Sequence, residues 1–217
     1  MPCIPREIVD LTRHIGRGTR VFPGDPRPVV ARLASLEREG FETRLLVMAD
    51  HTGTHVDAPR HFFPSREGPA EIPVERLVGP GVLVDLSWKR PGSSVGEHEL
   101  GEALEQQGVG RGWYVLLYYA WDERPAEEWL NYPVLTPGAA ALLARLGVRG
   151  VGMDTPSPDR EPYTVHKILL GSGVLVLENL SNEMRRLIGR EFTLVVGALP
   201  VEDATGSPAR VLALIWE

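Results

Sequence analysis

The sequence predicts a mixed α/β fold, and three observations support this. Short apolar runs that end near Gly or Pro have the length and β-branched content of buried strands. Segments between them have helical spacing, at 96–107, 136–146 and 164–170. No tract of linker composition divides the 217 residues, so residues 1–217 are predicted to form a single domain. The apolar runs are 81–86, 113–119, 173–178, 192–198 and 210–216.

Each element has its own local signal along the chain. Residues 8–13 indicate a first strand, and residues 32–48 alternate enough to form one or two more. The helix predicted at 96–107 has an acidic opening, which favours a helix start. The helix predicted at 136–146 begins with Thr136 as its cap and Pro137 at the first helical position.

Composition excludes several classes of protein. The formal net charge is −6 and the basic residues form no cluster, which argues against binding to nucleic acid. No apolar stretch approaches the ~20 residues of a membrane span, and the first residues lack a secretory signal. The single cysteine, Cys3, excludes an internal disulfide framework and fits a reducing compartment. We therefore expect a cytoplasmic protein with neither nucleic acid nor membrane as partner.

Four side chains that commonly bind metal ions lie within eleven residues: His51, His55, Asp57 and His61. A fully extended backbone would place the first two histidines about 13 Å apart at ~3.3 Å per residue, too far for one ion with bonds near ~2.1 Å. Gly53 and Pro59 disfavour a regular helix that would close this gap. The sequence thus predicts a bend at Gly53 and a turn at Pro59 that returns His61 to the same pocket.

The ordinary interpretation of a single histidine is a polar loop residue with backbone partners, but the density of ligands here favours a metal site. A catalytic zinc needs three protein ligands, so one residue is free to move protons. His61, separated by Pro59, is the candidate, and its role as a fourth ligand stays open. Glu178 ends an otherwise apolar strand, where it either binds a metal or lies at an exposed strand end.

At these residues the sequence resembles the metal-dependent cyclase family, which contains bacterial kynurenine formamidases (arylformamidases) and isatin hydrolases. The family hallmark, His-x-Gly-Thr-His-x-Asp-x-Pro-x-His, is matched by residues 51–61 at every fixed position. The resemblance implies a mixed sheet or barrel-like core flanked by helices, of the swivelling β/β/α type, that assembles as a homodimer or homotetramer. It extends to Asp10-Leu-Thr, Phe22-Pro-Gly-Asp25, Thr155-Pro-Ser157, His166 and Glu178-Asn179-Leu180.

The resemblance also implies roles for individual residues. His51, His55 and Asp57 would bind one metal ion, and Asp57 would bridge to a second ion held by His166 and Glu178. His61 would be the general acid and base. Phe22 would line the substrate pocket, where kynurenine formamidases have a tryptophan. One or two zinc ions suit this set of ligands, and manganese tolerates the same set.

The function that the resemblance implies is metal-dependent hydrolysis of a small aryl or cyclic amide. The leading substrate is N-formylkynurenine, an intermediate of tryptophan catabolism, which would give kynurenine and formate. The alternative is an isatin-type lactam or another cyclic amide or lactone. A non-catalytic, metal-dependent binding protein is a remote alternative, and metal-free nucleophilic hydrolysis lacks a Gly-x-Ser-x-Gly elbow. The tryptophans, Trp129 among them, are interpreted as core or subunit contacts.

Overall fold

The computed structural model describes residues 4–216, so Cys3 lies outside the described residues. Within that range the chain forms twelve strands and four α-helices, joined by loops and short 3-10 helices. The strands are β1 (Glu7–Asp10), β2 (Val29–Ala34), β3 (Thr43–Val47), β4 (His55–Asp57), β5 (Val78–Asp85), β6 (Ser94–Val95), β7 (Tyr114–Tyr118), β8 (Val134–Leu135), β9 (Gly150–Met153), β10 (Leu175–Glu178), β11 (Phe192–Ala198) and β12 (Gly206–Ile215). The helices are α1 (Leu36–Glu39), α2 (Glu97–Gln106), α3 (Pro137–Leu146) and α4 (Thr164–Gly171).

Seven strands close into a mixed barrel in the order β12-β11-β5-β7-β9-β10-β4, and β4 pairs back to β12. Strands β5, β7, β9 and β10 are parallel, and the other barrel pairings are antiparallel. One edge of the long strand β12 pairs first with β4 and then with β1. This architecture confirms the predicted barrel-like α/β core.

The parallel strands bury both faces, which explains their continuous apolar sequence. In β7, Val115 and Leu117 pack towards α2, α3 and α4, whereas Leu116 packs inside the barrel. The helices begin and end close to the predicted bounds. At α3 the Thr136 hydroxyl accepts a hydrogen bond from the Ala139 amide at 3.2 Å, as expected of an N-cap.

Strands β4, β6, β8 and β9 were not predicted. The two-residue strands β6 and β8 are too short for a pattern, and the other two have identifiable reasons. β4 has only three residues and lies inside the histidine-rich segment. β9 contains Gly150 and Gly152, which weaken a strand pattern. They are needed there because a Cβ on Gly150 would lie 2.6 Å from the Tyr114 ring, and one on Gly152 would lie 2.6 Å from Leu116. Close packing of neighbouring strands therefore selects glycine at both positions.

Strands β2 and β3 form a separate two-stranded hairpin, where the sequence predicted one or two strands. Both faces of this hairpin carry exposed apolar side chains. Leu33 is 67% exposed, Leu46 is 59% exposed, and Phe41 in the connection is 57% exposed.

No helix within residues 4–216 is long and apolar enough to cross a bilayer.

Candidate metal centre

Three elements and one loop bring the predicted ligands together. His55 and Asp57 are two residues apart on β4 and therefore share a face. In the antiparallel pairing of β4 with β10, His55 lies directly opposite Glu178. His166 comes from α4, and His51 from the loop before β4. Closure of the barrel by β4 thus places residues from distant parts of the chain at one point.

The ligand atoms form two groups of three that share Asp57. One group is His51, His55 and Asp57; the other is Asp57, His166 and Glu178. Within each group the donor atoms all lie within 4.8 Å of one another. The Asp57 Oδ1 atom lies 2.7 Å from His51 Nδ1 and 3.3 Å from His55 Nε2, while Oδ2 lies 3.5 Å from His166 Nε2. Asp57 is therefore the one residue that the two groups share.

Glu178 completes the second group and also faces the first. Its Oε1 lies 3.2 Å from His166 Nε2, and its Oε2 lies 3.3 Å from His55 Nε2. The side chain is buried, which rejects the interpretation of Glu178 as an exposed strand end. A buried carboxylate between two imidazoles needs positive charge nearby, from protons or from metal ions.

In each of the three histidines, one ring nitrogen is held by a partner outside the donor groups, and the other nitrogen faces the carboxylates. His55 Nδ1 donates to the Gly53 carbonyl at 2.8 Å, and among the described residues its buried Nε2 has no hydrogen-bond partner. His166 Nδ1 lies 2.5 Å from Asp159 Oδ1. Fixing one ring nitrogen of a ligand histidine in this way is typical of metal sites.

His51 is held by an equivalent contact with the opposite nitrogen. Its Nε2 lies 2.9 Å from the Thr205 hydroxyl, which itself donates to the Asp50 carboxylate at 2.9 Å. The hydroxyl therefore accepts from Nε2–H, and Nδ1 is the ring nitrogen that faces Asp57. A Cβ on Gly206 would lie 2.5 Å from the His51 ring, so the ring position requires glycine.

Electrostatics also favour a cation at the centre. Burial lowers the pKa of His55, but the carboxylates of Asp57 and Glu178 outweigh burial and raise that pKa to about 10. Burial likewise lowers the pKa of His166, and hydrogen bonds to Asp159, Asp57 and Glu178 raise it well above its usual value. Metal ions compete with protons for such sites, and the nitrogen and oxygen donors present fit a divalent ion.

His61 lies beside the two donor groups without belonging to either. Its ring centroid is 4.2 Å from that of His51 and 6.2 Å from that of His166. A 3-10 helix at Pro59–His61 turns the chain back, as predicted for Pro59. Burial lowers the pKa of His61, and the nearby Asp57 charge opposes this shift. The predicted bend at Gly53 is also present, with a φ of 68°.

A cavity of about 330 Å³ opens onto the donor groups. Four aromatic side chains line it, which suits a flat ring. Trp129 is one of them, so its interpretation as a core or subunit contact was incomplete. Tyr163 and Asn179, which also line the cavity, have the left-handed φ values of 58° and 55° that non-glycine residues rarely adopt. The aromatic residues are Phe22, Phe62, Trp129 and Tyr163.

Sequence reasoning missed two supporting residues, Asp159 and Thr205. Asp159 is buried, and its Oδ2 accepts the amide of Val165 at 2.6 Å while its Oδ1 contacts His166. Its place seven residues before His166 was the only available signal. Thr205 is 154 residues from His51 in the chain, and nothing local marks it.

Comparisons with known proteins agree with this geometry. The model of the Cyclase family, described as "Putative cyclase", matches residues 9–160. A kynurenine formamidase of Bacillus cereus is 30% identical over 211 residues, covering 95% of this chain and 96% of that protein. Isatin hydrolase A from Labrenzia aggregata, solved bound to benzyl benzoate, has a TM-score of 0.89 and 27% identity, covering 97% of this chain and 94% of that one.

A solved potential metal-dependent hydrolase with cyclase activity is similar to the chain as well. Its TM-score is 0.78 at 27% identity, and the match covers 97% of this chain and 98% of that one. The resemblance inferred from residues 51–61 is thereby confirmed over almost the whole length. The matched family model, the fold and the donor set lead to one conclusion: this chain belongs to the cyclase family of metal-dependent hydrolases.

Proposed function

We propose that this metal-dependent hydrolase converts N-formylkynurenine and water to kynurenine and formate. The observation that carries the proposal is the pair of donor groups sharing Asp57, with His61 beside them, in an aromatic-lined cavity. The similarity to a kynurenine formamidase over almost the full chain supports this substrate. An aryl formamide has the flat ring and the hydrolysable bond that this cavity suits.

The proposed ligands are His51, His55 and Asp57 for one divalent ion, and Asp57, His166 and Glu178 for a second. When bound, such an ion polarises a carbonyl and lowers the pKa of water. We propose one or two zinc ions, because imidazole and carboxylate donors suit zinc; manganese accepts the same donors. These assignments rest on the distances and burial of the donor atoms.

The proposed role of His61 is general acid and base. One of its ring nitrogens accepts a proton from the attacking water as the bond from oxygen to the formyl carbon forms. The same nitrogen then gives the proton to the aniline nitrogen as the carbon–nitrogen bond breaks. Burial lowers the pKa of His61, which favours the neutral imidazole that can accept this proton. The aromatic walls hold the ring in place during both steps.

The test is formate release from N-formylkynurenine by chelator-treated protein, with Zn²⁺ or Mn²⁺ added back. We expect turnover only with metal, and a loss of about 10²- to 10⁴-fold in the His61→Ala variant. His98→Ala is the matched control, because His98 is an exposed histidine on α2. Full activity in His61→Ala would reject the acid–base role, and no formate from metal-loaded protein would reject the substrate.

A second candidate is hydrolysis of an isatin-type lactam, which the similarity to isatin hydrolase A favours. Phe22 stands where the resemblance places a tryptophan in kynurenine formamidases, so this wall differs from theirs. The same metal add-back assay with isatin tests this candidate. Ring opening of isatin without formate release from N-formylkynurenine would select it.

We further propose that the chain forms a homodimer or homotetramer through the β2–β3 hairpin. An isolated two-stranded hairpin is marginally stable, and exposed apolar patches typically mark interfaces. Exposed apolar side chains occur on both strands and in their connection. Mass measurement by light scattering tests the proposal, and a monomer at micromolar concentration would overturn it. The single domain and the cytoplasmic location stay predictions.

A further inference from the structure

Two charged side chains, Arg20 and Asp25, line the cavity outside the cluster of metal-binding residues. Both are exposed, whereas the donor residues are buried apart from the half-buried His51, so this pair lies at the rim of the cavity and the donors lie at its floor. Within residues 4–216, neither side chain forms an ion pair or a side-chain hydrogen bond. Arg13, nearby on the same loop, is by contrast paired with Asp122.

A turn fixes the position of Asp25 relative to the aromatic wall. The Asp25 amide donates to the Phe22 carbonyl at 3.0 Å, and Gly24 has a φ of 102°. Proline at the second position and glycine with positive φ at the third are typical of a type II turn. The turn thus presents the Phe22 ring and the Asp25 carboxylate to the same cavity, with Arg20 two residues before the ring.

We infer that this rim binds the zwitterionic α-amino acid group of the substrate, the carboxylate at Arg20 and the ammonium at Asp25. The inference rests on the proposed function and names the residues that recognise the tail. A guanidinium pairs with a carboxylate through two parallel hydrogen bonds, and a carboxylate accepts from the three donors of an ammonium. The aromatic walls below take the aryl ring, and the formamide reaches the floor.

Opposite charges at the rim distinguish two classes of substrate. An aryl formamide with an amino acid tail uses both charges, whereas a neutral lactam such as isatin uses neither. Selectivity gained from two ion pairs at a solvent-exposed rim is modest and screened by salt. The two ion pairs at the rim therefore affect mainly the binding of the substrate. Hydrolysis at the metal-binding residues on the floor of the cavity does not depend on them.

The test compares two ligands that differ only in the tail: L-kynurenine, and 2-aminoacetophenone, which keeps the ring and ketone. Calorimetry with metal-loaded protein measures their dissociation constants for wild type, Arg20→Gln and Asp25→Asn. We expect each variant to weaken kynurenine binding by roughly 5- to 10-fold, and 2-aminoacetophenone binding to stay unchanged. The kynurenine preference of wild type should also shrink as salt is raised.

Arg17→Gln is the matched control, because Arg17 is an exposed arginine on the same loop and does not line the cavity. Equal losses for both ligands, or no loss in either variant, would overturn the inference. Formate release measured on the same samples separates the two claims. If formate is released but kynurenine binds no better than 2-aminoacetophenone, only the rim assignment is rejected. If kynurenine binds better and the variants lose this preference, but no formate is released, the rim assignment is supported and the proposed reaction is rejected.

Discussion

The donor cluster and the β2–β3 hairpin have opposite relations between side-chain type and burial. In the cluster, ionisable side chains such as Asp57 and Glu178 are almost fully buried. In the hairpin, Leu33 and Leu46 are more exposed than buried. Buried carboxylates and large exposed apolar patches are each costly or rare in a folded chain that binds nothing. The difference supports the partner proposed for each region: a cation inside, and an apolar protein surface outside.

The largest effect is expected from Asp57→Asn, which removes the charge shared by both donor groups. Because a bound ion contributes several kcal/mol to the transition state, hydrolysis should fall by about a thousandfold or more. Metal content per chain, measured by mass spectrometry, should fall with it. Undiminished metal content and activity would show that Asp57 is buried for structural reasons. A thermal unfolding measurement on the variant distinguishes loss of the metal from loss of the folded structure.

A smaller effect is expected when the hairpin is made polar. Burial of a large apolar side chain contributes ~1.5–3 kcal/mol, so Leu33→Asp with Leu46→Asp should raise the subunit dissociation constant by more than about 100-fold. Light scattering against concentration measures this. Val74→Asp with Leu199→Asp, two exposed apolar positions outside the hairpin, is the control. The same increase in dissociation constant in both double variants would mean that the hairpin has no special role in assembly.

The smallest of these three effects is expected from Asp159→Asn, which keeps an acceptor for His166 Nδ1 but removes its charge. Partners of ligand histidines typically change metal affinity or activity by about 10- to 100-fold. Titration against a competing chelator measures the affinity, and excess metal should restore turnover. Asp85→Asn, at the exposed end of β5, is the control. An unchanged affinity would remove Asp159 from the metal centre.

The sequence predicted most of the site because its signal is local. The chain has six histidines, and three lie within residues 51–61 beside Asp57, a density that folding alone does not explain. It did not predict Thr205, whose contact with His51 depends on β12 pairing with β4. Trp129 was missed for a similar reason, since its place in the cavity depends on the tertiary fold and not on a local pattern.

The elements of the fold likewise divide into those with a local sequence signal and those that depend on distant residues. The long apolar strands and the helices α2, α3 and α4 were predicted, because burial on both faces and helical spacing leave a pattern in nearby residues. Strand β9 was not predicted, because its glycines are required by side chains on neighbouring strands, which are distant in sequence. The exposure of the β2–β3 hairpin could not be predicted either, since alternation of apolar and polar residues indicates a strand but not what covers its faces.

Strand β4 has a consequence for the accuracy of folding. It closes the barrel with only three residues, and the middle one, Val56, is fully buried between His55 and Asp57. A slip of one residue against β10 or β12 would turn Val56 into the polar centre and force two ionisable side chains into the apolar core. Misregistered closure is therefore strongly disfavoured, and the residues proposed for the chemistry also select the register in which β4 closes the barrel.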